Sequence, residues 1–149
     1  MMLGLLLARA GIGVEVLEKH ADFLRDFRGD TIHPSTLEVM HELGLLEALL
    51  RLPHEKIPRF SARIADREVT IADLSRLPVR SRFIAMMPQW DFLDFLAREA
   101  KRFPGFRLRM NAEVTGLVER DGRVAGLRLR DEELQADIVI GRASCRERV

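Results

Sequence analysis

This sequence of 149 residues lacks several features that would place it in a specialised class of protein. It has one cysteine, Cys145, so no internal disulfide can form, and we expect a cytoplasmic protein. Its 24 Lys and Arg nearly balance its 23 Asp and Glu, which gives no general attraction to nucleic acid or to an anionic membrane. The apolar opening, residues 1–8, is far shorter than the ~20 residues of a membrane helix, so we expect no stable membrane insertion.

The histidines also lack the spacing of a metal site. His33, His41 and His54 have no second ligand at the intervals that zinc sites use, and we predict no metal. Apolar residues nevertheless make up 47% of the chain, which is enough for one domain with a hydrophobic core. No partner class follows from these observations.

The first residues combine a helical pattern with a strand-like one. Residues 1–10 are apolar helix formers followed by Gly11, which favours a helix end, and together they predict a buried helix. The next run, VEVLE, is typical of a short strand buried in a parallel sheet, and it ends on Glu18. Helix, glycine and strand form half of a βαβ unit, so we expect that a first strand precedes residue 1 and is missing.

A polar loop and two helices are predicted next. Residues 19–34 are charged and irregular, which makes them a candidate binding element. Ser35 and Glu38 have the spacing of a capping box at a helix start, and Gly44 ends the helical pattern. The run LLEALL predicts a further short helix.

The rest of the chain is predicted to be mostly strand, with one amphipathic helix over residues 90–103. Strand patterns cover residues 59–73, 83–87 and 106–110. The pair Asp121-Gly122 between two apolar runs predicts a hairpin with a type I′ turn. Residues 136–141, ADIVIG, predict one more buried strand. The basic tail RASCRERV does not continue that pattern, so we interpret residues 142–149 as non-native.

Three segments, GLLLARAGIGVEVLEKH, FRGDTIHPSTLEVMHELGL and MPQWDFLDFLAREA, resemble the FAD-dependent aromatic-ring monooxygenases of the para-hydroxybenzoate hydroxylase type. The resemblance covers residues 1–141. It implies an α/β fold, a Rossmann-like FAD-binding domain of the glutathione-reductase type that lacks its first strand. Residues 57–87 would contribute to the sheet of a substrate domain. The family's GxGxxG loop would end just before Met1 and is not present, so the resemblance implies a fragment truncated at both ends.

The resemblance assigns cofactor-binding roles to residues near the first strand. Dinucleotide-binding folds place an acid at a strand end to bind the adenosine ribose, and Glu18, followed by Lys19, stands there. Arg28 and Gly29 match the family's arginine-glycine pair, whose guanidinium would form charge-assisted hydrogen bonds to the pyrophosphate. From the residues alone, Glu18 fits an exposed strand-end acid equally well, and Arg28 fits a solvated loop arginine.

Two further positions follow from the resemblance. Gln89 stands where the family has Arg or Gln before a long helix, and its amide would contact ribityl and phosphate groups, although a plain helix-start residue is the alternative. Backbone groups near Val114 would lie against the adenine. No catalytic residue is assigned, because the flavin itself performs the difficult chemical step.

The activity that the resemblance implies is flavin-dependent hydroxylation. NADH or NADPH would reduce FAD, and O2 would then be used to hydroxylate an aromatic or related small substrate. Two alternatives stay open: an FAD-dependent dehydrogenase or reductase of the same fold, such as those acting on isoprenoid chains, and an interaction domain that has lost its cofactor. The sequence does not determine the oligomeric state.

Overall fold

The computed structural model describes residues 1–24 and 29–141, which form a mixed α/β fold as predicted. The helices are α1 (Met2–Arg9), α2 (Pro34–Glu42), α3 (Leu46–Leu49) and α4 (Gln89–Ala100). The strands are β1 (Val14–Leu17), β2 (Thr31–Ile32), β3 (Glu55–Ile57), β4 (Arg59–Ile64), β5 (Arg67–Asp73), β6 (Ile84–Met86), β7 (Phe106–Arg109), β8 (Gly116–Arg120), β9 (Arg123–Arg128) and β10 (Glu133–Gln135). Arg28 and the tail, residues 142–149, lie outside the described residues.

The described strands pair into four small sheets. Strands β1 and β7 are parallel, with Val14 opposite Phe106 and Leu17 opposite Arg109. The order β2-β6-β3 forms an antiparallel sheet, β4 and β5 form a hairpin, and β8, β9 and β10 form an antiparallel meander. Residues 57–87 are thus divided between two sheets, and their place in a substrate domain stays a prediction.

Helix α1 packs closely against β1, β7 and α4. Gly4 permits this approach, because a Cβ there would lie 2.7 Å from Val16 Cγ2 and 3.2 Å from the Phe106 ring. The core combines buried side chains from all four helices with several strands: Leu5, Ala8, Ile32, Leu37, Met40, Leu46, Leu49, Ala85, Met87, Phe95, Leu96, Ala100 and Phe106. None of the helices in the described part of the chain is long and apolar enough to cross a membrane.

The prediction that α1 is a buried helix is wrong for part of its surface. Leu5 and Ala8 are buried, but Leu3 and Leu6 are 48% and 38% exposed. Among the described elements, β1, β7 and α4 make the main contacts with this helix, and they leave these two leucines partly open to solvent. The sequence therefore predicted the helix correctly and its surroundings incorrectly.

Both predicted glycine helix ends are confirmed. After α1, the Ile12 N–H donates to the Leu7 carbonyl, with Gly11 at φ +80°. After α2, the Leu45 N–H donates to the Met40 carbonyl, and Gly44 also has a positive φ. Each pattern is a Schellman motif, which satisfies carbonyls that the helix leaves without a partner.

The predicted capping box at the start of α2 is wrong. The helix begins at Pro34, its N-cap is His33, and no side chain caps it. Ser35 therefore lies inside the first turn, while Glu38 Oε2 accepts the backbone N–H of Arg80 at 3.0 Å. A proline at the first helical position has no N–H to satisfy and has a suitable φ, so the helix starts there instead.

The end of the described chain contains one confirmed and one wrong prediction. Asp121 and Gly122 both have positive φ, 53° and 72°, as the predicted type I′ turn requires. The predicted buried strand over residues 136–141 is wrong, because this segment has no regular structure, and Ile138 and Ile140 are 78% and 64% exposed. A strand forms only beside a partner, and no described strand pairs with this segment.

The structure predicts a sharp difference between two glycines of the meander. A Cβ at Gly126 in β9 would overlap the backbone oxygen of Leu134 in β10, and a backbone cannot move aside as a flexible side chain can. Gly126→Ala should therefore lower the free energy of unfolding by about 1–3 kcal/mol, as overpacking does, when measured by urea denaturation. Gly116→Ala, in open space on β8, is the control. Equal losses from both changes would contradict the β9-β10 pairing.

Candidate functional site

The first candidate cluster lies at the carboxyl ends of β1 and β7. Beyond the two strands, the Glu18 N–H donates to the Arg109 carbonyl and the Ala112 N–H donates to the Glu18 carbonyl, both at 2.9 Å. The Asn111 N–H likewise donates to the His20 carbonyl at 2.9 Å. The residues that follow β1 thus run beside the residues that follow β7. This is the edge where open α/β sheets bind ligands.

This pairing brings together three residues that the sequence singled out separately. Glu18 is half-buried, and its Oε1 accepts the backbone N–H of His20 at 3.0 Å. Lys19 is exposed beside it. Val114, two residues after the Ala112 that bonds the Glu18 carbonyl, is 42% exposed. The predicted ribose and adenine positions therefore share one edge of the structure, while their roles toward a ligand stay predictions.

A tight turn in the backbone joins β7 to this edge. Asn111 has φ +55°, in the left-handed region that few residues other than glycine and asparagine occupy readily. The turn aims the next residue, Ala112, so that its N–H reaches the Glu18 carbonyl. Asn111 was not among the residues predicted from the sequence. An asparagine directly after a strand pattern does, however, indicate a turn with a left-handed residue.

The second candidate cluster lies where Asp30, the residue before β2, contacts the start of α4. The antiparallel ladder places Thr31 opposite Met86, and one step beyond it the Met87 N–H donates to the Asp30 carbonyl at 2.9 Å. The Asp30 carboxylate then accepts the backbone N–H of Gln89 at 3.4 Å. Gly29, exposed with φ +71°, precedes this contact directly.

Gln89 is the first residue of α4 and is exposed. In the part of the chain that the structure describes, no residue makes a hydrogen bond to its side-chain amide. The structure thus brings Gly29 and Gln89 close together, while Arg28 lies outside the described residues. Asp30 was only a loop residue in the sequence analysis, and no local pattern could have paired it with a helix so far along the chain.

Arg109 connects the parallel strands to the meander. Its Nη1 lies 3.4 Å from Glu15 Oε1 on β1, and its Nη2 donates to Glu132 in the turn between β9 and β10. The hydrogen bond to Glu132 raises the pKa of Arg109, and the same bond lowers the pKa of Glu132. The strand pattern over residues 106–110 predicted the strand that carries Arg109 but neither of its partners, because neither lies near it in the chain.

Two open clefts of about 380 and 370 Å³ lie elsewhere on the surface. The first is between α4 and the loop after β1, beside Phe23, Arg98 and Lys101, and the second lies between α1 and the end of α4. Neither is lined by Glu18, Gly29, Gln89 or Val114. Over residues 1–24 and 29–141, no three His, Cys, Asp or Glu side chains converge as metal ligands.

Residues 1–142 match the family model described as an FAD binding domain. The chain is 29% identical over 125 residues to a 6-methylpretetramide 4-monooxygenase of Streptomyces rimosus, covering 84% of this chain and 30% of that protein. It is 28% identical over 127 residues to a flavin-dependent monooxygenase of Mycobacteroides abscessus, covering 80% of this chain and 26% of that protein. The chain thus spans less than a third of the curated relatives it matches.

A solved structure shares the fold. PqsL of Pseudomonas aeruginosa, described as a probable FAD-dependent monooxygenase, superimposes with a TM-score of 0.74 at 18% identity. The match covers 90% of this chain and 36% of PqsL. At this level of identity the likeness concerns the fold.

The turn at Asn111 generates a stability prediction. Asn111→Val should lower the free energy of unfolding by about 1–2 kcal/mol, because a side chain branched at Cβ is strained in the left-handed region. Asn111→Gly should leave stability nearly unchanged, since glycine adopts this conformation without strain. Urea denaturation of both variants measures the difference. Equal stability of the two would show that this backbone conformation is not required.

The ion pair of Glu132 generates a prediction about pH. Its pKa is lower in the folded chain than the usual 4.5, so its contribution to stability is present above that value and is lost as pH falls through the lowered pKa. Glu132→Gln should reduce the melting temperature at pH 7, and the difference from wild type should disappear in strong acid. Glu119→Gln, which removes an exposed acid on β8, is the control. A difference that is constant with pH would exclude an ionic contribution.

Proposed function

Because this chain belongs to the FAD binding domain family, we propose that it is the FAD-binding part of a flavin-dependent monooxygenase. The complete enzyme would use NADH or NADPH and O2 to hydroxylate an aromatic or related small molecule. The names of its relatives support the reaction class, since both curated relatives described above are monooxygenases and one is named as flavin-dependent. The structural observation that carries the proposal is the contact of the Gly29-Asp30 segment with the start of α4 at Gln89.

The described residues fit a dinucleotide cofactor at two places. The Glu18 carboxylate would accept hydrogen bonds from the ribose hydroxyls, and the backbone near Val114 would border the adenine. Gly29, whose missing side chain leaves open space, would let the chain approach the cofactor closely. The Gln89 amide can both donate and accept, which suits hydroxyl and phosphate oxygens.

Bound FAD would supply the redox chemistry, and the chain's residues would supply binding and orientation. Arg28, which precedes Gly29, would add a guanidinium toward the pyrophosphate. Lys19, exposed beside Glu18, would contribute positive charge near the ribose and phosphates. No residue of this chain is assigned a step in bond making or breaking.

The finer features of the fold belong to the same proposal. A Rossmann-like sheet would include a further parallel strand before α1, paired between β1 and residues 136–141. Two observations support it: Leu3 and Leu6 on α1 are exposed, and so are Ile138 and Ile140. The hairpin β4-β5, with Ile64 and Ile71 exposed, would begin the sheet of a substrate domain. All of these apolar side chains would be covered in a longer protein.

The first test is cofactor content. The protein is expressed from the complete reading frame that contains this chain, purified, and examined for a bound yellow chromophore that chromatography identifies after release. We expect one FAD per chain, and oxidation of NADH or NADPH that depends on O2 and is accelerated by an aromatic substrate. A protein without flavin would favour the cofactor-free interaction domain. A flavoprotein that reduces its substrate without consuming O2 would favour the dehydrogenase or reductase.

Two variants test the binding positions. Arg28→Ala should weaken FAD binding at least tenfold, because it removes a charge-assisted hydrogen bond worth about 1.5–3 kcal/mol. Gln89→Ala should weaken it about three- to tenfold, since it removes uncharged hydrogen bonds. The matched control is Gln135→Ala, an exposed glutamine on β10. FAD titration of the apoprotein measures each dissociation constant, and equal affinities of all three variants would contradict the assignments.

A further inference from the structure

The start of α4 is held by a residue from a distant part of the chain. A helix leaves its first backbone N–H groups without intrahelical partners, and the N-cap of α4, Pro88, offers no side-chain oxygen to them. The carboxylate of Asp30 takes that role for Gln89, with Oδ1 at 3.4 Å from the backbone nitrogen. A negative group at this end also interacts favourably with the helix dipole.

Asp30 is itself held in place by the backbone. Its carbonyl accepts the N–H of Met87 at 2.9 Å, and the next residue, Thr31, pairs with Met86 in the β2-β6 ladder. These contacts do not involve the Asp30 side chain. The carboxylate therefore has a defined position relative to the start of α4, and a change of this side chain leaves the ladder that carries it intact.

We propose that Asp30 is a positioning residue for cofactor binding, acting through Gln89. By bonding the Gln89 backbone, it determines where α4 begins, and so where the exposed side-chain amide of Gln89 stands relative to Gly29. Asp30 thus links the two segments that would enclose the cofactor between them. This inference rests on the proposed function, because it presupposes that Gln89 binds FAD.

The sharpest test is a double-mutant cycle on FAD affinity in the full-length protein. Asp30→Ala alone should weaken FAD binding about fivefold, which is the effect expected from the loss of one helix-capping interaction. In a Gln89→Ala background the same change should have almost no effect, because the group that Asp30 positions is gone. Asp30→Asn keeps an acceptor oxygen and should restore most of the affinity.

The control is Asp91→Ala. Asp91 is the acid within the first turn of α4 itself, and no described residue hydrogen-bonds its carboxylate. It should leave FAD affinity unchanged, although both alanine variants remove one negative charge from the same helix end. The melting temperature of each apoprotein separates a loss of folding from a loss of positioning.

The outcomes separate this inference from the proposed function. A wild-type protein that binds no FAD overturns both. A wild-type protein that binds FAD with unchanged affinity after Asp30→Ala overturns only the role of Asp30. The role is also overturned if Asp30→Ala weakens binding equally in the two backgrounds, or if Asp30→Asn is as weak as Asp30→Ala, because the acceptor oxygen would then not act through Gln89.

Discussion

Parallel hydrogen bonding between β1 and β7 joins the first strand of the described chain to one that follows α4. Parallel strands cannot be joined by a tight turn, so the described chain between β1 and β7 is long enough to hold three helices and five strands. Helix α1 can lie close to both strands because Gly4 carries no side chain, and the core of the domain forms around that contact. The meander is attached to the same pair through Arg109, which bonds Glu15 on β1 and Glu132 beyond β9.

Both candidate clusters are consequences of strand pairing between remote segments. The β1-β7 pairing places Glu18 beside Ala112, two residues before Val114. The β2-β6 pairing places Asp30 beside Gln89. Each cluster presents few side chains and much ordered backbone. Such an arrangement suits a site whose bound group performs the chemistry, because the protein then has only to bind and orient it.

Several large apolar side chains lie on the outside of the domain. Ile64 and Ile71 on the β4-β5 hairpin, and Ile138 and Ile140 near the end of the described chain, are each more than 60% exposed. A two-stranded hairpin is only marginally stable by itself in water, so β4 and β5 require further contacts. We interpret these surfaces as contacts within a longer protein, in keeping with relatives of which this chain spans less than a third.

The sequence by itself determined the features whose signals lie within a few residues: the helix ends at Gly11 and Gly44, the turn at Asp121, and the position of Glu18 after a short strand. Only the tertiary structure decided the partners of Glu18, the contact between Asp30 and Gln89, and the absence of a strand over residues 136–141. The physical reason is the range of the interactions. Turns and helix caps form between neighbours in the chain, whereas strand pairing and long-range capping depend on which distant segments folding brings together.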